Sequence, residues 1–276
     1  MFYLHQTLVN TETQKELVNN RSSLFGDTDQ DGLIDAYDSD IDNDGVANLL
    51  DESPFDSRNQ NTLPHLNLKV GESNYAVVLN ESALTAAQIE RLRSTLFFLQ
   101  KSKAFSANLK IIALWDWTDE YDSMNGHYDP YWKTIRIREP QAFKGGSRQF
   151  QLILTHELFH AFQVSEPKFY QTFMMKMGWS LQDDTYIYHT RGFHWVTGNE
   201  EDLLNLKGLP TGVPTRRSLI GPEEHFADAL LYAYLQERNP DWITPSYFDN
   251  LKTYRESEAQ KWTQKAFKKV FVPLAK

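Results

Sequence analysis

Between Gly26 and Asp56 the chain carries eleven carboxylates (Asp27, Asp29, Asp31, Asp35, Asp38, Asp40, Asp42, Asp44, Asp51, Glu52 and Asp56) and no lysine or arginine. Like charges about 4 Å apart repel by about 1 kcal/mol even in bulk water, and by more where water is thinned. Such a segment either stays loose or is neutralised by cations. Residues 27–38, DTDQDGLIDAYD, and 40–51, DIDNDGVANLLD, both fit D-x-D-x-D-G-φ-x-[DN]-x-x-D with φ apolar, thirteen residues apart. Side chains at loop positions 1, 3, 5, 9 and 12 converge on one point, as a hard cation taking six to eight oxygens requires. Glycine at position 6 permits the sharp turn, and the position-7 carbonyl adds an oxygen. The expected Ca²⁺ ligands are Asp27, Asp29, Asp31, Leu33, Asp35 and Asp38 in the first loop. In the second they are Asp40, Asp42, Asp44, Val46, Asn48 and Asp51. About two structural Ca²⁺ ions are implied.

Position 12 is Asp in both loops, where an EF-hand has Glu, and no amphipathic helix flanks either loop. Back-to-back copies of this kind resemble bacterial thrombospondin type 3 repeats, and DESPFD (51–56) supplies the proline that closes such an array. A solvated acidic linker is the alternative; glycine and its following apolar residue recurring in phase argue against it. Extracellular calcium modules bind at about 10⁻⁴ to 10⁻³ M, a concentration the cytosol lacks, so a secreted or cell-surface location is expected. The opening MFYLHQTLVNTETQKELVNN has neither the basic stretch nor the apolar run of a signal peptide. Export by another route, or a start inside a longer protein with an upstream domain, fits this.

Outside residues 26–56 there remain 26 acids against 28 bases, close to neutral and without a basic stripe for nucleic acid. No apolar run approaches the roughly 20 residues of a membrane span. There is no cysteine, hence no disulfide or thiolate chemistry. The expected organisation is an N-terminal segment (1–25), the acidic repeats (26–56), a linker (57–66) and one larger α+β domain (67–276). In that domain NYAVVLN (74–80), ANLKIIALWDW (107–117) and KTIRIRE (133–139) read as strands. TAAQIERLRSTLFFLQKSK (85–103) reads as a helix, and YDSMNGHYDPY (121–131) as a turn region. FYQTFMMKMGW (169–179) is a Met- and aromatic-rich helix, and QKWTQKAFKKVFVPLAK (260–276) an amphipathic one that covers the domain.

From Ser147 to Val164 no Pro or Gly interrupts the chain, and Phe150, Leu154, Leu158 and Ala161 recur at helical spacing. Within it lies His156-Glu157-Leu158-Phe159-His160. Residues four apart on a helix are neighbours, so His156 and His160 can share one metal. Glu157, about 100° around the axis, can reach a water beside that metal. Burying two imidazoles and a carboxylate in so apolar a helix without partners would cost several kcal/mol. A tetrahedral Zn²⁺ needs a third protein ligand and keeps one position for water.

A metzincin would place that ligand at residue 166 and a glycine at 163; the chain has Glu166 and Gln163. A glutamate on a later helix is the other solution. GPEEHFADALLYAYLQER (221–238) opens with Gly-Pro and is apolar-periodic, and Glu224-His225-Phe226-Ala227-Asp228 within it reads E-x-x-A-D. This resembles the gluzincin peptidases, including the anthrax-lethal-factor-like group. The resemblance implies a zincin-like fold, one catalytic zinc on His156, His160 and Glu224, Glu157 as general base, and Asp228 orienting a histidine. Glu223 is the rival ligand. His194 reads as part of a loop between the two helices, His225 as a wall residue, and Tyr186, Tyr188, Tyr232 and Tyr234 as candidate oxyanion donors or core. The implied activity is a zinc metalloendopeptidase acting on peptide or protein substrates. An inactive calcium-binding adhesion module on the same scaffold, or a protein-specific toxin with an immunity or inhibitor partner, are the alternatives.

Overall fold

The computed structural model describes residues 26–271 apart from 36, 49, 52, 63–64, 80–83, 101–108, 116–125, 131–132, 139–145, 191–192, 198–202, 204 and 207. The N-terminal segment 1–25 therefore lies outside the described residues. The architecture is α+β, in two compact units: one up to Phe97 with Asn108–Leu154, the other Phe98–Ala107 with Thr155–Lys276. The first unit groups the acidic loops with a five-stranded sheet, so its limits differ from those that composition suggests.

The two acidic loops repeat nearly bond for bond at a thirteen-residue offset. Gly32 N–H donates to Asp27 Oδ2 at 3.0 Å and Gly45 N–H to Asp40 Oδ2 at 3.1 Å. Leu33 and Val46 donate their N–H groups to Asp31 and Asp44 Oδ1 at 2.8 and 2.7 Å. Gly32 and Gly45 hold φ of 95° and 92°, a region closed to most side chains. Ile41, from the second loop, is fully buried.

The sheet has the order β1-β2-β3-β5-β4. Strands β1 (His65–Val70) and β2 (Ser73–Leu79) form an antiparallel hairpin. Helix α1 (Ala86–Leu99) then leads to β3 (Ile111–Trp115), parallel to β2. Strand β4 (Gly126–Asp129) lies antiparallel to β5 (Thr134–Arg138), which is parallel to β3. Leu68, Tyr75, Val77, Leu92, Leu96, Ile112, Ile135, Ile137 and Phe150 are buried here. β1 and β4 are absent from the sequence reading. β4 falls inside the expected turn region, between its Asn-Gly and Asp-Pro dipeptides: four residues with a glycine and an aspartate carry almost no strand propensity, and pairing with β5 supplies it.

Helix α2 (Gly146–Ser165) is followed directly by α3 (Pro167–Met177). From Gln151 to Phe159 every residue of α2 is buried, so the helix is enclosed all round rather than on one face. Gly178 ends α3 in the left-handed conformation (φ 91°); a Cβ there would sit 2.1 Å from His189 O. A three-stranded antiparallel sheet follows: β6 (Trp179–Gln182), β7 (Thr185–Thr190) and β8 (Phe193–Val196). Asp183 and Asp184, both at positive φ, make the two-residue turn between β6 and β7. The loop expected around His194 is thus in part a strand.

Past a short 3-10 turn (Arg217–Leu219) come α4 (Pro222–Arg238), α5 (Leu251–Tyr254) and α6 (Glu258–Phe271). Phe267 and Phe271 of α6 pack against Phe98 and Phe159, and Phe271 also meets Phe162. Phe169 of α3 meets Phe162 of α2 at 5.6 Å. Both helices thereby cover the histidine-bearing half of α2, and the lysines of α6 stay outside.

Candidate metal centre

The second unit brings His156, His160 and Glu224 together as a group whose ligand atoms could hold a metal ion. His156 and His160 lie one turn apart on α2, and Glu224 sits in the first turn of α4, where the helix dipole favours an anion. Their facing atoms form a triangle. His156 Nε2 is 3.2 Å from His160 Nε2 and 3.2 Å from Glu224 Oε2; His160 Nε2 is 3.5 Å from Glu224 Oε1. Four ligands held about 2.0–2.1 Å from a tetrahedral ion lie about 3.3 Å apart. The donor set is pre-spaced for a small ion.

Behind the triangle, His156 Nδ1 faces Asp228 Oδ1 at 3.0 Å. Asp228 Oδ2 accepts hydrogen bonds from the Thr215 hydroxyl and from Ser218 Oγ at 2.9 Å. Ser218 lies within the 3-10 turn and Thr215 just before it, and Arg217 of the same turn donates through Nε to Glu224 Oε2 at 2.7 Å. One turn of chain therefore braces both the carboxylate of the triangle and the carboxylate behind it.

Burial favours neutral His156, but Asp228 and Glu224 outweigh it and raise its pKa to about 10 in the metal-free protein. Burial would raise Glu224; Arg217 and the two histidines overcome that and hold it well below the ordinary carboxylate range. Asp228 is likewise buried yet held low by His156. Glu157 is 3% exposed, one residue along the helix from His156.

Glu223 points elsewhere: Tyr170 O–H donates to its Oε1 at 3.1 Å, and burial raises its pKa. His225 is fully buried and satisfied at both nitrogens, accepting from Trp179 Nε1 at 3.0 Å and donating from Nε2 to Gly212 O at 3.0 Å. Burial lowers its pKa to about 4, which fixes it as a neutral strut. Tyr188, Tyr232 and Tyr234 are core residues; Tyr186 is half-buried. His194 lies on β8, opposite His189. His160 Nδ1 has Gln163 Oε1 at 3.4 Å.

Thr215, Arg217 and Ser218 were not legible as site residues. Tyr247 is a half-buried phenol whose pKa is raised by loss of water and by the charges of Asp228, Glu157 and Glu224, with Arg217 opposing. Nothing in TPSYFD marks it, because its place depends on how α4 and α5 are joined.

In the first unit, Asp27, Asp29 and Asp31 form one carboxylate group and Asp40, Asp42 and Asp44 another. Asp38 is repelled by Asp31, Asp29 and Asp40, and Asp42 by Asp44, Asp51 and Asp40, so the charges of both loops act on one another. Asp27 Oδ1, Asp38 Oδ2, Asp40 Oδ1, Asp42 Oδ2 and Asp44 Oδ2 are buried without a hydrogen-bond donor. Position 9 serves the loops themselves. Asp35 accepts from Thr28 N–H and Oγ1, both at 2.9 Å. Asn48 accepts from Ile41 N–H at 2.9 Å and donates to Asp38 O at 2.8 Å.

No protein-family model, curated protein or solved structure matches the chain. Among the described residues no helix is long and apolar enough to cross a membrane.

Proposed function

We propose that this chain is a zinc-dependent metalloendopeptidase of zincin-like build, preceded by calcium-held loops of the thrombospondin type 3 kind. The observation that carries the reading is the triangle of His156 Nε2, His160 Nε2 and Glu224 at 3.2–3.5 Å. Two imidazoles and one carboxylate are a donor set suited to zinc, and a fourth position is left for water. Bound zinc would lower the pKa of a water toward about 7 and polarise a substrate carbonyl.

The chain's own groups supply the rest. Glu157 takes the proton of the attacking water and passes it to the leaving amine. Asp228 holds the Nδ1 proton of His156, which leaves Nε2 free as a ligand atom. Arg217 fixes Glu224, and Tyr247, among the same charges, donates to the developing oxyanion. In the acidic loops, buried oxygens without donors fit Ca²⁺, which takes six to eight oxygens.

Two variants test the reading. Glu157→Gln should keep about one zinc per chain and lose most peptide hydrolysis. Glu224→Ala should lose most of the zinc by elemental analysis. Turnover retained in Glu157→Gln would overturn the assignment.

A further inference from the structure

We propose that His189 and His194 form a second transition-metal site, separate from the His156–His160–Glu224 centre and independent of the peptidase reading. The two residues are directly opposite in the β7–β8 ladder, and both are exposed. Their Nδ1 atoms lie 3.3 Å apart, with ring centroids at 4.3 Å and planes at 67°. His156 and His160 show nearly the same relation: Nε2 atoms at 3.2 Å and planes at 74°. Both separations match the edge of about 3.3 Å between ligands of a tetrahedral ion at 2.0–2.1 Å.

The pair is held in place before any ion arrives. His189 N–H donates to Gly178 O at 2.8 Å, and Gly178 lies so close to His189 that no side chain fits there. β7 is the central strand of its sheet, tied on one side to β6 and on the other to β8. Two cross-strand imidazoles on such a frame lose little freedom on binding.

Imidazole nitrogen selects zinc, nickel or copper over calcium and magnesium. Two protein ligands leave the other positions to water, so the site is open and exchangeable. Among the described residues no carboxylate backs either ring as Asp228 backs His156, a support typically worth about 10- to 100-fold in affinity. The exposed pair should therefore fill only after the buried group, at free zinc about 10- to 100-fold higher.

The test is equilibrium dialysis of the calcium-saturated chain against buffered free zinc, with elemental analysis. Two zinc equivalents are expected in wild type, well separated in concentration. His189→Ala and His194→Gln should each abolish the weaker equivalent and keep the tighter one. A His156→Ala/His160→Ala variant should do the reverse. In that double variant, added Cu²⁺ should show imidazole nitrogen hyperfine structure by electron paramagnetic resonance, lost on further replacing His189. Saturation without the weaker equivalent, or its survival in both His189→Ala and His194→Gln, would overturn the proposal. Absence of the tighter equivalent alone would count against the peptidase reading and leave this one standing.

Discussion

Replacing Asp228 by Asn changes one charge at a site that is 1% exposed, where water cannot take over. Asp228 Oδ2 receives two hydroxyl donors, from Thr215 and Ser218, while Oδ1 faces His156 Nδ1 at 3.0 Å. In the variant the amide oxygen turns to the two hydroxyls, which aims the NH₂ group at His156. An NH₂ group can only donate, so His156 Nδ1 must become an acceptor and the ring proton moves to Nε2. That is the atom facing His160 and Glu224. The expected loss is at the upper end of the range for supports behind metal-bound histidines, about 100-fold in zinc affinity or about 2.7 kcal/mol. Asp228→Ala removes the support without imposing the wrong tautomer. It should cost less zinc affinity than Asp228→Asn, although it destabilises the fold more. Competition against a chromogenic zinc chelator reads both constants. Zinc affinity of Asp228→Asn within threefold of wild type, or above that of Asp228→Ala, would refute the tautomer argument.

Tyr247→Phe should lower kcat by about 100-fold with KM little changed, the pattern of a donor that acts in the transition state; steady-state kinetics on a cleaved peptide decide it. Gly178→Ala combines a positive φ with a Cβ 2.1 Å from His189 O and should cost about 2 kcal/mol or more, read by urea unfolding. The acidic loops should respond to pH in a defined direction. Burial, then the neighbouring Asp44, raises Asp42 to about 6. A carboxylate whose folded pKa lies above its unfolded value loses folding stability as pH rises from about 4 to 6. Chelator-treated protein should therefore melt lower at pH 7 than this group would allow at pH 4, and calcium added at pH 6 should release protons into weak buffer.

The parts of the site within one helix could be read from spacing alone. His156 and His160 are one turn apart, and helix geometry leaves them nowhere else to go. The resemblance implies Glu224 with Glu223 as its rival, and the two side chains do diverge, Glu223 toward Tyr170 and Glu224 toward the histidines. Arg217, Thr215 and Ser218 could not be found this way. They act through a three-residue 3-10 turn whose position is set by tertiary packing, and an Arg-Ser pair carries no periodicity. β4 and β8 were missed for a related reason: four-residue strands draw their stability from the neighbouring ladder, here β5 and β7, rather than from their own residues.

The two twelve-residue loops combine holding their path with offering oxygens. Asp35 and Asn48 fasten the chain through Thr28, Ile41 and Asp38, while Asp27 and Asp38 of the first loop and Asp40, Asp42 and Asp44 of the second each keep one carboxylate oxygen without a donor. Positions 3 and 5 also accept the N–H groups two residues on that shape the turn, so an exchange there that retunes the preferred ion must keep one oxygen for that bond, while further copies can be spliced in tandem at the thirteen-residue repeat. The repeat is a modular cassette.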